Sequence, residues 1–569
     1  METQKKRPFI KKTPLSFDRW EIWTTLRRIL GIQIETVKIP LQENEILSLS
    51  GEDLPENSRI ITRKGDRMLT KESKSFKIIR MKAFAKRFNK TNKSCNILKN
   101  GKMTRHKNIP ENTDVLVIGG GSAGRYAAKA AARKGARVTL VDPGPFGGLC
   151  ILKGCMPSKA LLRSAHVRHL IVSELPELGL RLSGGQVDLD MNYIVDAKDR
   201  MIKEFADDAL QGILNNPSIT LVEGLFRFTG PHEGSISGAP ISFRKAIIAS
   251  GTRIRLPHIK GLEAKDIMTS DDILETRILP KKVVVIGTGP VGLELGQYLH
   301  NMGSDVTILN INPEWGHGLD RTISDAYLDA LRARGLPIHM GITNEWVENT
   351  PLGPIMHYIH NGKEHSCPFD RLLSAIGRTP DTHILDLPAA GVETAEKGII
   401  KVLSTLQTTN PDIYAAGDVT GILPVLNVAT FHGEMAGENA TREQPLPVPE
   451  PPVPIAIFTD PEYARSGLSE NEALHKGYSV ITGKIPFTDL GKAIVYRRTD
   501  GWLKIVADEK DRKILGAEMF GPGASDLIHV IHVAIALGAT LDDYQRILHI
   551  HPTFAEIFKY LVDDLTDAI

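Results

Sequence analysis

Two stretches of this 569-residue chain share one pattern of apolar and small residues. Residues 114–124, DVLVIGGGSAG, form an apolar run that leads into Gly119, Gly121 and Gly124, which is typical of a buried strand and a tight turn. The alanine-rich segment YAAKAAARKGA then predicts a helix, and RVTLVD predicts a second strand that ends at Asp142. The pattern therefore predicts a strand, helix, strand unit with a glycine-rich turn.

The same unit occurs again 168 positions later, without a gap, in VVVIGTGPVGLELGQYLHNMGSDVTILN. The residues at the positions of Gly119, Gly121, Gly124 and Asp142 are Gly287, Gly289, Gly292 and Asn310. Such glycines let the backbone approach a pyrophosphate at a helix N-terminus, and a carboxylate at the strand end can bind ribose hydroxyls. One GxGxxG also occurs in tight turns of unrelated α/β proteins. Two units in register predict two dinucleotide sites.

Cys150 and Cys155 follow the first unit closely, in GGLCILKGCMPSK. Thiol exchange needs one sulfur that is open to substrate and a second that closes the disulfide behind it. Thiols five positions apart meet only if the intervening loop folds back, and a helix N-terminus there lowers the pKa of a nearby thiol. A structural disulfide and a metal site are the alternatives, but a metal site needs C-x2-C with further ligands. We interpret the pair as redox-active.

Length and composition indicate a large enzyme of three to four domains. The chain has four cysteines, which favours a reducing compartment over a secreted, disulfide-linked fold. It has no run of 18 apolar residues and no hydrophobic signal peptide, so we expect a cytoplasmic protein without a membrane span.

Charge is unevenly distributed along the chain. Residues 1–112 contain 26 Lys and Arg against 12 Asp and Glu, whereas the remainder contains 44 against 55, so the total of +3 hides a basic arm. The arm includes apolar residues at helical spacing, namely Trp20, Trp23, Leu26 and Leu30. A tether to nucleic acid, to an anionic membrane or to a partner is one interpretation. We favour a disordered or non-native extension, in which case Met103 could be the start of the protein. A targeting peptide is disfavoured because such peptides lack acidic residues, whereas Glu2, Asp18 and Glu21 are present here.

Seven motifs occur in order between Asp114 and the C-terminus. They are GGLCILKGCMPSKALL, ASGT at 249–252, the second glycine unit, AIGRTPDT from 375, IYAAGDV ending at 419, IFTDPEYARSG from 457 and HPTFAE from 551. Over about four fifths of its length, the chain resembles the class I pyridine nucleotide-disulfide oxidoreductases. This family includes dihydrolipoamide dehydrogenase, glutathione reductase and mercuric reductase.

The resemblance implies an α/β fold with two Rossmann-like dinucleotide-binding domains, for FAD and NAD, and a C-terminal α+β dimerisation domain. We expect a basic extension at 1–112, the FAD domain at 113–262, the NAD domain at 263–380, a return segment of the FAD domain at 381–445 and the dimerisation domain at 446–569. The proline-rich PLPVPEPPVP at 445–454 independently predicts the last boundary. An obligate homodimer follows from the resemblance.

The resemblance also implies roles for the reactive side chains. Cys150 would meet the substrate, and Cys155 would be the charge-transfer thiol against the flavin. Thiol oxidation needs a base of near-neutral pKa, held by a carboxylate, which the resemblance assigns to His551 of the partner subunit and Glu556. We expect His551-Pro552 to be a cis bond and His549 to serve in packing or hydrogen bonding.

Cofactor-binding residues follow from the same motifs. Lys159 and Glu294 match an ion pair beside the flavin. The residues expected at FAD are Gly119, Gly121, Gly124, Asp142, Lys159, Ser250, Gly251 and Asp418, and those at NAD are Gly287, Gly289, Gly292, Asn310 and Gly377. NAD is favoured over NADP because Asn310 is followed by INPEWGHG, which lacks arginine, although a neutral side chain does not repel a 2′-phosphate. No metal site is expected.

Dihydrolipoamide, free or on a lipoyl-bearing protein, is the expected substrate, with NAD as oxidant. Mercuric reductases have a C-terminal cysteine pair, whereas no cysteine follows Cys367 here. The chain departs from common dihydrolipoamide dehydrogenases at Leu149, Leu152 and Lys153, and where Leu426-Asn427 replaces an expected Ala-His pair. NAD(P)H-dependent reduction of another disulfide or of mercuric ion remains an alternative. A non-enzymatic NADH-binding flavoprotein would be expected to lack one of the reactive residues.

Overall fold

The computed structural model describes residues 109–182, 187–316 and 318–567, and the backbone of three strands nearer the N-terminus. These strands, β1 (Arg59–Ile61), β2 (Arg67–Glu72) and β3 (Ser75–Arg80), form an antiparallel sheet within a separate unit, Met1–Thr104. Trp20, Trp23 and Met103 lie outside the described residues, and the interpretation of the basic arm stays a prediction. No helix among the described residues combines the length and apolarity that a membrane crossing needs.

A mainly parallel sheet organises the first dinucleotide domain. Its strands are β4 (Asn112–Ile118), β5 (Val138–Asp142), β6 (Ile219–Glu223), β7 (Phe226–Gly230), β8 (Glu233–Ile236), β9 (Ala239–Ile248) and the separate β10 (Thr252–Ile254). Its helices are α1 (Ser122–Arg133), α2 (Gly148–Leu152), α3 (Cys155–His169) and α4 (Met191–Leu214). The order is β6-β5-β4-β9-β8-β7, with the first four strands parallel. Residues 115–118 of strand β4 are all apolar and buried because both faces of the sheet are covered here.

The second dinucleotide domain repeats this arrangement. Its strands are β11 (Ile267–Met268), β12 (Lys282–Ile286), β13 (Asp305–Asn310), β14 (Ile338–Met340), β15 (Thr343–Thr350), β16 (Gly353–His360), β17 (Lys363–Pro368), β18 (Arg371–Ser374) and β19 (Arg378–Pro380). Its helices are α5 (Ser270–Leu274), α6 (Pro290–Asn301) and α7 (Arg321–Ala333). The parallel sheet has the order β11-β18-β12-β13-β14, and β15, β16 and β17 form an antiparallel meander. The antiparallel pair β10-β19 links the two domains.

The chain then returns to the first domain. Strand β20 (Ile413–Ala415) pairs in parallel with β9, and α8 (Leu426–Asn439) packs against α1. The two helices approach closely because α8 places glycines where they cross the alanine-rich α1. A Cβ atom on Gly433 would lie 2.2 Å from the Ala123 carbonyl oxygen, and one on Gly437 would lie 2.3 Å from that of Ala127. Larger residues would push the helices apart.

An antiparallel sheet and five helices form the C-terminal domain. The strands are β21 (Ile455–Ile457), β22 (Glu462–Gly467), β23 (Val480–Pro486), β24 (Trp502–Asp508) and β25 (Ile514–Gly521), in the order β21-β22-β25-β24-β23. The helices are α9 (Glu470–His475), α10 (Gly491–Tyr496), α11 (Ala524–Leu537), α12 (Leu541–Gln545) and α13 (Glu556–Asp567). With the two parallel sheets, this α+β domain confirms the predicted fold class.

The C-terminal domain exposes large apolar side chains near its C-terminal turn. Leu548 is 95% exposed and Ile550 79% exposed, and Leu537 at the end of α11 is 80% exposed. Val533, one turn earlier in α11, is also exposed. Where exposed apolar side chains form one patch, the patch marks an interaction site more often than a free surface.

One hydrophobic core joins the two dinucleotide domains to the C-terminal domain. Leu161 and Ala165 of α3 pack in the same cluster as Leu293 of α6, and Ile457 and Tyr463 belong to it as well. These residues are all buried. The start of α3, the start of α6 and the loop after β21 are therefore held side by side.

Candidate active site

The structure brings the two predicted cysteines together beside the first glycine-rich turn. Cys150 lies in α2, and Cys155 is the first residue of α3. A Cβ atom on Gly154 would lie 3.2 Å from the Cys150 Cα atom, so glycine at this position lets the loop fold back. A Cβ atom on Gly148 would lie 2.3 Å from the Gly121 Cα atom, which places the cysteine loop directly against the turn. Both cysteines are half-buried free thiols.

The two thiols have opposite pKa shifts. A hydrogen bond from the Cys150 thiol lowers the pKa of Cys155 to about 6, and the Lys159 ammonium also lowers it, against the opposing effect of burial. The same hydrogen bond, together with burial, raises the pKa of Cys150 well above its usual range. The N-terminus of α3 further favours negative charge at Cys155. Cys155 therefore holds the thiolate, and Cys150 keeps the proton.

Lys159 and Glu294 form an ion pair next to the thiols. The Lys159 Nζ atom lies 2.7 Å from Glu294 Oε2. Glu294 is buried, and its other oxygen accepts a hydrogen bond of 3.0 Å from the backbone N–H of Phe458. The Phe458 ring lies under the same ammonium, with 4.4 Å between Nζ and the ring centroid. The buried carboxylate is thus fully paired, as a buried charge requires.

The two glycine-rich turns have the same geometry. The equivalent residues are Gly119 and Gly287, Gly121 and Gly289, and Gly124 and Gly292. The first glycine of each turn has a φ of +110°, a left-handed conformation that favours glycine. The second precedes the helix as its N-cap. A Cβ atom on the third would lie 1.8 Å (Gly124) or 2.0 Å (Gly292) from the carbonyl oxygen of the first, so both helices start in close contact with their turn.

The two turns differ at the end of the second strand. The Asp142 carboxylate accepts hydrogen bonds from the backbone N–H groups of Gly120 at 2.6 Å and Gly144 at 2.7 Å. In the second unit, the Asn310 side-chain amide donates to the Thr288 hydroxyl at 2.9 Å. Thr288 occupies the position of Gly120, so both strand ends contact the same point of the turn. The first contact is anionic, and the second is neutral.

The residues expected at FAD leave polar atoms free to bind a ligand. Ser250 Oγ and Arg125 Nε are buried and have no hydrogen-bond partner among the described residues. Asp418 lies 3.5 Å from the Thr252 hydroxyl, and burial raises the pKa of its carboxyl group. Together with the first glycine turn, these groups fit a polar dinucleotide such as FAD.

Gly251 and Gly377 lie where the chain crosses between the two dinucleotide domains. Both have left-handed φ angles, +71° and +95°. The Arg378 guanidinium donates to the Thr252 hydroxyl at 2.9 Å and to the Thr252 carbonyl at 2.8 Å. This contact fixes β10 against β19 and so fixes the crossing.

His551 and Glu556 form a second pair at the end of the chain. The His551 Nδ1 atom lies 2.9 Å from Glu556 Oε1, and the Thr553 N–H donates to Oε2 at 2.7 Å. Burial raises the pKa of Glu556, but the Thr553 N–H and the His551 ring outweigh it, leaving the pKa below its ordinary value. The His551 side chain is 72% exposed, so Nε2, the ring nitrogen that does not bind Glu556, is accessible. The predicted cis bond between His551 and Pro552 is present.

His549 has both ring nitrogens engaged locally. Its Nε2 atom lies 3.2 Å from the Tyr544 hydroxyl, and its Nδ1 atom lies 3.2 Å from the Ile547 carbonyl. Within the part of the chain that the structure describes, no hydrogen bond or ion pair joins either histidine to Cys150 or Cys155. The His551–Glu556 pair and the two cysteines are therefore not joined by such a bond within one subunit.

Four further residues at the site were not predicted from the sequence. Phe458 contacts the ion pair, Gln297 holds the next residues of the same loop, and the Trp315 indole donates to the Thr288 carbonyl at 2.8 Å in the second glycine turn. Arg125 is half-buried beside Cys150. Phe458 lies within a recognised motif, but nothing in that motif indicated which side chain it contacts.

One group among the described residues has the composition of a metal site. The ligand atoms of His169, Glu174 and Asp460 lie within 4.8 Å of one another. Two arginines already pair with these carboxylates, since Arg334 Nη1 lies 3.4 Å from Asp460 and Arg498 Nη1 lies 3.4 Å from Glu174. We interpret the group as an ionic network, because the guanidinium groups supply the positive charge.

Comparisons with known proteins agree with this geometry. A family model described as "Pyridine nucleotide-disulphide oxidoreductase" matches residues 113–433, and the model of the dimerisation domain of the same family matches residues 453–562. The chain is 35% identical over 449 residues to a mercuric reductase of Lysinibacillus sphaericus, covering 79% of this chain and 82% of that protein. It is 32% identical over 455 residues to a dihydrolipoyl dehydrogenase of Bacillus subtilis (strain 168), covering 79% and 95%.

Solved structures give the same result. The structure of the HOCl-induced flavoprotein disulfide reductase RclA from Escherichia coli matches with a TM-score of 0.69 at 25% sequence identity. The match covers 79% of this chain and 99% of that chain. The similarity therefore extends through all the domains that contain the site.

Removal of the Cys150 thiol is expected to raise the pKa of Cys155. Cys150→Ala deletes the hydrogen bond that contributes most to the lowered pKa, whereas Cys150→Ser keeps a hydroxyl donor. The midpoint of Cys155 alkylation against pH, followed by peptide mass spectrometry, should move to higher pH in the alanine variant and by less in the serine variant. Equal midpoints in the two variants would contradict the assigned hydrogen bond.

Substitution of the third glycine in each turn is expected to separate the two nucleotide sites. Gly124→Val should yield protein without bound FAD, because the side chain would overlap the turn. Gly292→Val should retain FAD but bind NADH at least about tenfold more weakly. FAD absorbance and NADH titration measure the two effects, with Gly491→Ala, which meets no neighbouring atom, as control. Loss of FAD from the Gly292 variant alone would reverse the assignment.

Proposed function

Because the chain belongs to the pyridine nucleotide-disulphide oxidoreductase family, whose members use FAD and a pyridine nucleotide, we propose that it oxidises dihydrolipoamide with NAD. Membership of the family makes the protein a flavin-dependent oxidoreductase that acts on sulfur groups. The dimerisation domain supports a homodimer. The substrate, the choice of NAD and the roles of the individual residues belong to the proposal.

The polarised thiol pair is the observation that supports this function most strongly. Cys155 holds the thiolate at the start of α3 beside Lys159, and Gly148 places the cysteine loop against the first glycine turn, where we expect FAD. Cys150 keeps its proton and lies in α2, on the other side of the loop that ends at Cys155. Disulfide exchange requires two thiols, one that gives electrons to the flavin and one that reacts with the substrate. Cys155 would have the first role and Cys150 the second.

The proposed exchange begins with Cys150 and Cys155 joined as a disulfide. One substrate thiol gives its proton to His551 and, as the thiolate, attacks Cys150 Sγ, which forms a mixed disulfide and releases Cys155 as a thiolate. The second substrate sulfur attacks the substrate sulfur of the mixed disulfide, which releases the oxidised substrate and Cys150, and the proton of the second thiol passes to Cys150. Two electrons and two protons leave the dithiol in this way, and Lys159 stabilises the Cys155 thiolate that results.

FAD, when bound, supplies the two-electron transfer that links Cys155 to NAD. The first glycine turn, Ser250 and Arg125 would hold it, since Ser250 Oγ and Arg125 Nε have no partner among the described residues, and Asp142 stiffens the turn through Gly120. At the second turn, Asn310 brings no positive charge for a 2′-phosphate, which favours NAD over NADP. The Lys159–Glu294 pair lies between the two turns because α6 begins at the second one.

His551 would act as base in the partner subunit. Its ring is held by a buried carboxylate yet is largely exposed, and exposed apolar side chains such as Leu548 and Ile550 surround it in sequence. A second copy that covers this apolar surface would also meet the imidazole. The arrangement supports a site assembled from Cys150 of one subunit and His551 of the other.

Reduction of mercuric ion is the second candidate, and the 35% identity to a mercuric reductase favours it. Lipoamide is preferred because no cysteine follows Cys367, so a C-terminal thiol pair that would deliver a metal ion is absent from the sequence. The identity to the dihydrolipoyl dehydrogenase is nearly as high and covers 95% of that protein. Both candidates use the same thiol pair.

Turnover assays are expected to distinguish the substrates. NADH oxidation should be faster with lipoamide than with oxidised glutathione or mercuric ion, and faster than NADPH oxidation with lipoamide. The value of kcat/KM, measured at steady state for each combination of nucleotide and acceptor, gives the ranking. A preference for mercuric ion would replace the lipoamide proposal with the second candidate, and a preference for NADPH would overturn the choice of nucleotide.

Mixed dimers are expected to test the shared site. His551→Gln should slow lipoamide turnover by about 10²-fold or more, the usual contribution of general acid-base catalysis, and Glu556→Gln should have a smaller effect in the same direction. Mixing Cys150→Ser subunits with His551→Gln subunits should restore activity, since one site of each mixed dimer then has both groups. Reduction of bound FAD by NADH should persist in the His551 variant.

The control for mixing is the His549→Gln variant, whose ring is engaged with Tyr544 and Ile547 and should retain turnover. Mass spectrometry must show that mixed dimers form. If they form without activity, the base acts within its own chain or is another residue.

A further inference from the structure

Gln297 forms a closed pair of hydrogen bonds with the backbone of Asp460. Its side-chain nitrogen donates to the Asp460 carbonyl at 2.7 Å, and its side-chain oxygen accepts from the Asp460 N–H at 2.7 Å. Gln297 is 4% exposed and lies on α6 one turn after Glu294. The side-chain nitrogen and oxygen of Gln297 and the backbone N–H and C=O of Asp460 are therefore all hydrogen-bonded inside the protein. Loss of either partner leaves buried polar groups unpaired.

The same loop is anchored from its other side by charged groups. The Asp460 carboxylate binds the Arg498 guanidinium and lies 3.4 Å from Arg334 and 3.7 Å from His166 Nδ1. The Tyr327 hydroxyl binds the Thr459 hydroxyl at 2.7 Å. These contacts hold the side chains of the loop, whereas Gln297 binds the loop backbone from α6, the helix that also contains Glu294.

Phe458 transmits this restraint to the ion pair. Two residues before Asp460, its N–H binds Glu294 and its ring lies against the Lys159 ammonium. Glu294 and Lys159 therefore both contact Phe458, and the position of Phe458 depends on the loop. If the loop moved away from α6, both contacts would be lost at once.

We propose that Gln297 is a positioning residue for the redox site. By holding the Asp460 backbone against α6, it keeps Phe458 where the N–H and the ring fix the Glu294–Lys159 pair beside Cys155. The Lys159 charge then stays close to the thiolate, and Glu294 stays paired. This inference rests on the proposed function in one respect only, the assignment of Cys155 as the reactive thiolate.

Three groups act on Cys155 from the elements around it, and a fourth acts on Cys150. Cys150 on α2 and Lys159 on α3 lower its pKa, whereas Glu294 on α6 raises it, and Arg125 on α1 acts on Cys150. Loss of the Gln297 contacts leaves α2 and α1 in place. It releases the pair on α3 and α6, so the ammonium is no longer held near the thiolate and the pKa of Cys155 should rise.

The test measures alkylation of Cys155 against pH in the FAD-loaded protein, in a Cys150→Ser background, with the Cys155 peptide identified by mass spectrometry. Gln297→Leu removes both hydrogen bonds at similar volume. A rise of about one pKa unit makes alkylation about fivefold slower at the pH of the Cys150→Ser midpoint and about tenfold slower well below it. Gln297→Glu keeps the acceptor for the Asp460 N–H and should give an intermediate midpoint, which also covers failure of the leucine variant to fold.

Tyr463→Phe is the matched control. It deletes a buried hydrogen bond of 2.8 Å to Glu518 in the same hydrophobic core and should lower thermal stability without moving the alkylation midpoint. Unchanged midpoints in both Gln297 variants, or an equal rise in the Tyr463 variant, would overturn the positioning role and leave the proposed function intact. Reduced wild-type protein whose Cys155 does not titrate in the acidic range would instead overturn the assigned thiolate, and with it the proposed function.

Discussion

The packing of α3 against α6 is the contact on which the rest of the site depends. Helix α3 starts with Cys155 and contains Lys159, and α6 starts at the second glycine turn and contains Glu294. Leu161 and Leu293 lie in one core beneath both helices. Because such cores are as dense as organic crystals, a shift of either helix would misplace the thiols, the ion pair and the nucleotide turn together.

Features confined to one short segment could be predicted from the sequence. The glycine turns were predictable because the left-handed φ and the contact between first and third glycine are set within six residues. The His551–Glu556 pair lies within six residues as well. The Lys159–Glu294 pair joins residues 135 positions apart and was expected only through the resemblance.

Contacts through the backbone left no such signal. The N–H of Phe458 binds Glu294 across 164 positions, and the peptide of Asp460 binds Gln297 across 163. Any residue type except proline offers the same N–H, so composition and periodicity do not indicate these partners. The substrate is equally hidden: identities of 35% and 32% to relatives with two different names show that the matched residues specify the scaffold and not the substrate.

The exposed apolar side chains of the C-terminal domain bear on how the protein is made. Leu537, Leu548 and Ile550 are between 79% and 95% exposed in a single subunit that is otherwise folded. While these side chains stay exposed, a newly synthesised subunit presents an apolar surface to other incompletely folded proteins. A homodimer that buried them would add the free energy of association to that of folding, so the lifetime of a subunit in the cell would depend on how many copies are made as well as on its own fold.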